Sequence, residues 1–301
     1  LFGGVSEDSV LMMPNVDSVF RIPKVIADSK LMHRLGQFSG VKKQPQLEAW
    51  DALIKKQQST KAQTVRIGLV AKYMDNEDTY LSVLEALKAA AWEEAVNLEV
   101  KWIDATKATD DVFASVDGLL VPGGFGARGI EGKIAAADYA FTHKKPYLGI
   151  CLGLQVAVIA SARRARLNDA HSTEFSDETK HPVVYIMEGQ QGKESTGGTL
   201  RLGDYPAVLK NDSKTAKTYE VTEVIERHRH RYEVNQQFVH DIERGGLEIS
   251  GASPDGKLVE FIEARDHPYF IATQAHPEFR SRPFRAHPLF VGLIRAAIDK
   301  Q

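Results

Sequence analysis

The stretch P-Y-L-G-I-C-L-G-L-Q, residues 146–155, holds the single cysteine of the chain, Cys151. Its first half is a short apolar run typical of a buried strand, and a helical pattern follows from Leu152 to about Arg164. A chain that turns abruptly from strand to helix strains the corner residue, and flanking glycines keep the neighbouring chain from colliding with it. The pattern Gly149-x-Cys-x-Gly153 therefore predicts a cysteine nucleophile elbow at the end of a strand.

An elbow of this kind has chemical consequences for its side chain. The corner lifts the sulfur above the edge of the sheet, and the positive end of the following helix favours the thiolate form. The alternative is an inert buried cysteine that packs as a small hydrophobe. The elbow pattern alone leaves both interpretations of Cys151 open.

Strand and helix patterns alternate on both sides of the elbow. Strands are predicted at 65–70, 98–103, 118–121 and 147–150, and helices at about 81–95, 131–143 and 152–164. This order predicts an α/β fold with a mostly parallel sheet, helices on both faces, and ligands at the carboxyl ends of the strands. A smaller strand-rich part is predicted beyond Asn168, with strands near 183–187, 199–202, 229–234, 247–250, 258–263 and 270–274 and a last helix at 289–300.

The first 63 residues follow a different pattern. Residues 1–44 contain only short elements, among them a strand at Val10–Met13 and a helix near Ala27–Leu35, which are too short to enclose a core. A polar helix is predicted at Gln46–Lys56, and residues 45–63 are predicted to link this part to a main domain at 64–301. Because the chain begins at Leu1 within a pattern, we expect it to be a piece of a longer polypeptide.

Composition argues against nucleic-acid and membrane partners. The formal net charge of −2 offers no general attraction for nucleic acid or anionic lipid. No apolar stretch approaches the roughly 18 residues that a membrane span requires. A single cysteine cannot form an intrachain disulfide, which favours a cytoplasmic protein.

A second glycine-rich motif, G-F-G-A-R-G at residues 124–129, lies between a predicted strand and a predicted helix, where a dinucleotide fingerprint would lie. That fingerprint also needs an acidic residue at the end of the next strand, and Ile150 and Cys151 stand there instead. A tight glycine turn remains as one interpretation. The other is a loop whose backbone N–H groups serve something other than a pyrophosphate.

A nucleophilic cysteine needs a base and a group that orients the base. Among the ten histidines, His276 is distinctive because Pro277 favours extended geometry at the residue before it. Side chains two apart on an extended segment share a face, so Glu278 could hold the imidazole while it accepts the thiol proton. The alternative is an ordinary polar strand end.

Acyl transfer also needs hydrogen-bond donors for the oxyanion. The N–H group of Leu152 and one from Gly123 or Gly124 would supply them if the two strands that precede these residues are adjacent.

The motifs together resemble those of class I (triad-type) glutamine amidotransferases. The resemblance rests on P-G-G-F-G at 122–126, G-I-C-L-G-L-Q at 149–155 and H-P-E at 276–278. The stretches S-T-E-F at 172–175, G-G-T-L-R-L-G at 197–203 and E-R-H-R-H-R-Y-E-V-N at 226–235, with Asn168, narrow it to the CTP synthase family, over about residue 64 to the end. Residues 1–35 are similar to the last part of that family's synthetase domain.

This resemblance implies a flavodoxin-like fold and hydrolysis of L-glutamine through a thioester at Cys151, with His276 and Glu278 completing the triad. It also implies a glutamine site, in which an anion and a cation suit the two charged ends of an amino acid. The residues that it assigns to that site are Gly124, Leu152, Gln155, Glu174 and Arg231.

For the full-length enzyme the resemblance implies transfer of ammonia to a synthetase domain that uses ATP and Mg²⁺ to convert UTP into CTP. GTP would act as an activator near Phe125 and Arg128, which could also lie at the domain interface. A homo-oligomer, a tetramer when full length, is also implied. We expect no cofactor and no metal site within this chain, and no CTP synthesis by the chain alone.

Two other functions stay open at this stage. One is hydrolysis of γ-glutamyl peptides on the same fold, and the other is a regulatory or filament-forming module whose triad is idle. The basic run Arg227–Arg231 has its own alternatives, a solvated basic strand or an RNA contact, and the mildly acidic chain disfavours the second.

Overall fold

The structure is a computed structural model that describes residues 4–41, 43, 45–59, 61–74, 77–186 and 200–300. The chain divides into two compact units, residues 1–61 and 62–301. The described part of the first unit contains three α-helices, α1 Ile22–Ala27, α2 Lys30–Ser39 and α3 Glu48–Gln58.

The first unit differs from the sequence prediction in three places. The strand predicted at Val10–Met13 is wrong, because no neighbouring strand in the described residues pairs with this segment. The single helix predicted near 27–35 is two helices, since the Ser29 hydroxyl accepts the N–H of Met32 and starts α2. Gln57 and Gln58, predicted as linker, are the last residues of α3.

The second unit is an α/β structure with two sheets. Its strands are β1 Thr64–Ala71, β2 Asn97–Asp104, β3 Gly118–Val121, β4 Tyr147–Ile150, β5 His171–Ser172, β6 Pro182–Ile186, β7 Arg201–Leu209, β8 Glu223–His230, β9 Tyr232–Val234, β10 Glu248–Ala252, β11 Val259–Glu263 and β12 Phe270–Thr273. Its helices are α4 Leu81–Glu93, α5 Asp110–Ala114, α6 Ile130–Thr142, α7 Leu152–Arg164, α8 Lys214–Tyr219, α9 Val239–Arg244 and α10 Pro288–Asp299.

The large sheet has the strand order β2-β1-β3-β4-β12-β11-β10-β7-β8. The first five strands are parallel, and the last four extend the sheet with antiparallel pairs. Strands β5, β6 and β9 form a separate small sheet. The predicted α/β class, with a mostly parallel sheet that carries the elbow and a smaller strand-rich part, is confirmed.

Alternate residues of the central strands enter two different cores. Leu119 and Tyr147 pack on the face that α6 and α7 cover, whereas Leu120, Leu148 and Ile150 pack on the face that α4 and α10 cover. Strands buried on both faces read as continuous apolar runs, which is why β3 and β4 could be located from sequence to the residue.

The hairpin β7–β8 was only partly predicted. Strands were expected at 199–202 and 229–234, but the pairing runs from Arg201 with His230 to Val208 with Glu223. Pro206 and several charged residues interrupt the apolar pattern there, because outward positions of this hairpin face solvent. Met187 and Thr199, placed in predicted strands, lie outside the described residues, as do Gly197 and Gly198 of the glycine-rich stretch 197–203.

Candidate active site

The candidate site lies where three adjacent parallel strands end. In the sheet, Val121 of β3 is level with Gly149 of β4, and Ile150 of β4 is level with Thr273 of β12. The residues that follow these strands therefore meet at one edge. Cys151 is fixed there by its backbone N–H, which donates to the carbonyl of Thr273 at 2.7 Å.

Cys151 has the strained geometry that the elbow predicted. Its φ of 51° and ψ of −100° lie outside the regions that side chains readily adopt. A Cβ at Gly153 would lie 2.2 Å from the carbonyl oxygen of Val121, and one at Gly149 would lie 2.7 Å from the carbonyl oxygen of Gly153. Both flanking glycines are therefore required by close backbone approach.

The backbone around the corner offers free donors. Among the described residues, the N–H groups of Gly123, Gly124 and Leu152 have no backbone acceptor. Leu152 is the first residue of α7, a helix whose first eleven residues are buried. The positive end of this helix and the glycine loop after β3 both lie next to Cys151, and together they could bind a negative charge.

His276 and Glu278 form a partly buried pair next to the cysteine. The Nδ1 atom of His276 lies 2.8 Å from Oε1 of Glu278. A Cβ at Gly123 would lie 2.7 Å from Cε1 of His276 and 3.6 Å from Cβ of Cys151, so the imidazole and the cysteine pack against the same glycine.

The electrostatics of His276 favour the imidazolium. Burial alone lowers its pKa, but the negative charges of Cys151 and Glu278 and their hydrogen bonds outweigh burial and hold the pKa well above its ordinary value. Its Nε2 atom is buried and has no well-formed hydrogen bond to the described residues. The Glu278 bond at Nδ1 leaves Nε2 as the nitrogen for proton transfer.

The local backbone that joins this pair differs from the prediction. The extended segment expected at His276 is wrong, because its ψ is 79° and Pro277–Phe279 form a 3₁₀ turn. The tight turn, and not a shared strand face, brings the carboxylate of Glu278 back to the imidazole. The predicted contact is present although the reason given for it was incorrect.

A pocket of about 430 Å³ opens over Cys151, within the usual size range of small-molecule sites. The residues expected to bind glutamine line it, except Leu152, whose side chain is buried. Those lining residues are Gly124, Gln155, Glu174 and Arg231.

Glu174 has a mixed environment within this pocket. Burial raises its pKa, while the N–H of Gly126, which donates to Oε1 at 2.8 Å, favours the ionised form. The charges of Lys72, Arg231 and Lys133 act in the same direction as that hydrogen bond. The pocket therefore carries an acidic and a basic side chain, as an amino acid ligand requires.

Gln274 is a site residue that sequence reasoning did not select. Its Nε2 lies 3.7 Å from the sulfur of Cys151, and its Oε1 accepts from Nε2 of Gln155 at 3.3 Å. Gln155 also donates to the carbonyl of Tyr232 at 3.2 Å. The sequence did hold a signal for Gln274, because it directly follows β12, whose end lies beside the elbow.

Phe125 and Arg128 lie at the rim and in the loop behind it. The Phe125 ring is 68% exposed, with the Lys72 ammonium 4.7 Å from its centroid. Arg128 donates to the carbonyl of Lys72 at 2.9 Å and lies over the ring of Tyr73. Arg128 therefore helps to hold this loop in place, and its expected contact with an activator remains a prediction.

The basic run at 227–231 alternates between solvent and interior. Arg227 and Arg229 point outward, while His228 and His230 are buried. Burial lowers the pKa of His228 to about 3, so it is neutral. Residues 227–230 belong to strand β8, so only alternate side chains of the run are solvated.

A buried charge cluster lies behind this hairpin and was missed in the sequence. Arg201 pairs with Glu260 at 2.6 Å, and Glu233 lies 3.6 Å from the same guanidinium. Burial raises the pKa of Glu233 to about 8. The three residues of this cluster come from three strands far apart in sequence, so no local pattern could have revealed the cluster.

Comparison with known proteins agrees with this geometry. The family "Glutamine amidotransferase class-I" matches residues 76–296. The chain belongs to this family. The glutaminase domain of Trypanosoma brucei CTPS, solved with bound acivicin, is 37% identical with a TM-score of 0.74, and the match covers 79% of this chain and 95% of that one.

Curated relatives are CTP synthases. Those of Corynebacterium kroppenstedtii and Chloroflexus aurantiacus are 47% and 46% identical over 98% of this chain, and the match covers 55% of each relative. The chain thus spans about half the length of these relatives and contains a glutaminase domain of the CTP synthase kind. Among the described residues, no helix is both long and apolar enough to cross a membrane.

Proposed function

We propose that the chain hydrolyses L-glutamine to glutamate and ammonia, with Cys151 as nucleophile, His276 as base and Glu278 as the group that orients the base. The observation that carries this proposal is the strained thiol at the edge of the sheet, packed with an imidazole that a carboxylate holds at 2.8 Å. Nucleophile, base and orienting group are the three roles that acyl transfer through a thiol requires.

The reaction would proceed in two halves. His276 accepts the thiol proton, and the sulfur attacks the side-chain amide carbon of glutamine. The oxyanion that forms accepts hydrogen bonds from the N–H groups of Leu152 and of Gly123 or Gly124, which have no other backbone acceptor in the described chain. His276 then returns the proton to the leaving nitrogen, which departs as ammonia and leaves a thioester on Cys151.

Water completes the second half. His276 removes a proton from a water molecule, which attacks the thioester carbon. The carbon–sulfur bond breaks, glutamate is released, and the thiol regains its proton. The same base thus serves both steps.

Substrate choice would come from the two charged residues in the pocket. We propose that Glu174 binds the ammonium group of glutamine and Arg231 its carboxylate, while Gln155 lines the side-chain end. The hydrogen bond from Gly126 to Glu174 supports this assignment because it favours the anion that an ammonium ligand needs.

For a protein of the full length of the relatives, we propose that this ammonia serves the ATP- and Mg²⁺-dependent amination of UTP to CTP in a synthetase domain. GTP activation, assembly into a homo-oligomer and a cytosolic location belong to the same proposal. Its support is the similarity to CTP synthases over 98% of this chain.

A glutaminase assay combined with covalent labelling tests the core proposal. Wild-type chain should release glutamate from glutamine and should form one adduct with a glutamine-like diazoketone or with acivicin, located at Cys151 by mass spectrometry. Cys151→Ala should lose both turnover and adduct while retaining its fold by circular dichroism.

Two other outcomes would replace the proposal. Faster cleavage of γ-glutamyl peptides than of glutamine would indicate a peptide hydrolase. Folded wild-type chain without adduct or turnover, with and without GTP, would indicate an idle regulatory module.

A further inference from the structure

Lys133 is a buried lysine that the mechanism above does not use. It lies on α6 between Ile130 and Ala137, on the stripe of the helix that faces the core, and only 1% of its surface is exposed. Among the described residues, its Nζ has no hydrogen-bond partner. A buried ammonium without a partner is costly, so its presence here calls for a function.

The ammonium group lies beneath the glycine loop of the active site. A Cβ at Gly124 would be 3.5 Å from Nζ of Lys133 and 3.4 Å from Cδ2 of Leu152. Leu152 and Gly124 are among the residues whose N–H groups are proposed to bind the oxyanion, with Gly123 as the alternative to Gly124. Lys133 therefore places a positive charge directly behind these donors.

The ionisable groups around Lys133 come from three elements. They are the thiol of Cys151 at the start of α7, the carboxyl group of Glu174 after β5 and the ammonium of Lys72 after β1. Burial and Lys72 lower the pKa of Lys133 to about 8, while Cys151 and Glu174 oppose the shift. The ammonium of Lys133 is thus mainly charged at pH 7, and it loses its proton as the pH rises through about 8.

Lys72 is less suited to act on the sulfur. Its ammonium donates to the carbonyl of Phe125 and lies 4.7 Å from the centroid of the Phe125 ring. Lys133 has neither kind of partner in the part of the chain that the structure describes. Its charge is therefore less compensated than that of Lys72.

We propose that Lys133 is a positioning residue of the glutaminase site, whose buried charge favours the thiolate of Cys151 and the anion that forms at Gly124 and Leu152. It acts through the field and not by contact with the reacting atoms. The proposal rests on the proposed function. In a site shielded from water, a neighbouring charge of this kind acts with little screening.

Alkylation of Cys151 by iodoacetamide measures this effect without turnover. The sulfur forms a bond to the methylene carbon, iodide leaves, and the thiol proton goes to solvent through His276. Rates would be measured from pH 5 to 10 on wild type, Lys133→Met and Lys133→Gln. We expect both variants to move the pH of half-maximal rate upward by about one unit, so that at any pH on the rising part of the profile the rate falls about tenfold.

The pH range of the difference is itself diagnostic. Because Lys133 loses its proton near pH 8, the wild-type advantage should shrink above that pH. The titrating groups that face the sulfur, His276 with its partner Glu278, are unchanged in the variants and serve as an internal reference. A rate profile in Lys133→Met and Lys133→Gln that superposes on wild type would overturn the proposal.

Lys145→Met is the matched control. Lys145 is also buried, but its ammonium donates to the carbonyls of Ala114 and Val116 at the opposite edge of the sheet. It should leave the alkylation profile unchanged. A superposed profile together with normal glutamine hydrolysis in every variant would reject only the role of Lys133, whereas slow alkylation and no hydrolysis in wild type would reject the proposed function.

Discussion

Buried lysine and histidine side chains have every nitrogen hydrogen-bonded at one edge of the central sheet, whereas at the other edge one nitrogen of each lacks a hydrogen bond within the described part of the chain. At the amino edge, Lys145 donates to two carbonyls, and His267 is bonded through both ring nitrogens, to the carbonyl of Ala140 and the N–H of Tyr269. At the carboxyl edge, Nζ of Lys133 and Nε2 of His276 are buried without a hydrogen bond to the described residues.

This contrast separates groups that support the fold from groups that are available for chemistry. Burial lowers the pKa of His267 to about 4, so it is a neutral structural residue. The pKa of His276 is instead held well above its ordinary value because two anions outweigh its burial. Unsatisfied buried groups are rare in folded proteins, and those of Lys133, His276 and Glu278 lie in or beside the pocket over Cys151, where a ligand could satisfy them.

The largest expected effect is the difference in turnover between two variants, each of which lacks one of these histidines. His276→Ala should reduce glutamine turnover by about 10²- to 10⁴-fold, since a base contributes a factor of this order. The measurement is glutamate release under saturating glutamine. His267→Ala should keep turnover within a few-fold of wild type but lower the thermal midpoint, because the N–H of Tyr269 and the carbonyl of Ala140 lose their partner.

If His276→Ala kept wild-type turnover, the base assignment would be incorrect. If His267→Ala lost turnover without loss of stability, the division between the two edges would fail.

The two lysines should have opposite effects on stability. Burial displaces the pKa of Lys133 from 10.5 to about 8, which corresponds to a cost of up to about 3 kcal/mol while the group is charged. Below pH 8 both the folded and unfolded chains carry this charge, so the full cost is present. Between pH 8 and 10.5 the folded chain loses the proton first, and the cost disappears.

Lys133→Met should therefore raise the free energy of unfolding at pH 7, by up to about 3 kcal/mol, and the gain should vanish near pH 10.5. Lys145→Met should lower it by about 1–2 kcal/mol, because the carbonyls of Ala114 and Val116 lose their donor. Urea unfolding at pH 7 and pH 10 gives both values. A loss of stability in Lys133→Met would place Lys133 among the structural residues.

Sequence patterns located the fold and the elbow because both depend on local signals. The apolar run of β4 fixes the strand, and close backbone contacts fix both glycines that flank Cys151. By contrast, Lys133 was overlooked although it lies on the apolar stripe of α6. A lysine within a helical pattern ordinarily extends to solvent, whereas the glycine loop packs next to Nζ of Lys133.

Contacts between distant segments were beyond the reach of local patterns. The cluster of Arg201, Glu233 and Glu260 requires the pairing of strands that sequence alone does not specify. The contact between His276 and Glu278 was predicted on an extended segment, but a 3₁₀ turn makes it. Proline restricts the residue before it, and this restriction could not tell an extended segment from the start of a tight turn.

The smallest expected effect on turnover concerns the glycine loop, which packs against His276 and Cys151. A Cβ at Gly123 would lie 2.7 Å from Cε1 of His276, whereas the nearest atoms to a Cβ at Gly124 are at 3.4 and 3.5 Å, which is ordinary contact. Gly123→Ala should therefore displace the imidazole and lower turnover about 10- to 100-fold, an effect of roughly 1.4–2.8 kcal/mol. Gly124→Ala retains the same backbone donor and should change turnover by only a few-fold.

This pair of variants sharpens the comparison because it separates a steric effect on the imidazole from the electrostatic effect of Lys133. Neither variant removes a titratable group, so Gly123→Ala should lower the turnover number without moving the pH of half-maximal iodoacetamide labelling by the full unit expected for Lys133→Met. Turnover and labelling measured on the same samples decide this. Equal losses in the two alanine variants would mean that the loop donors, and not the position of the imidazole beside Gly123, limit the reaction.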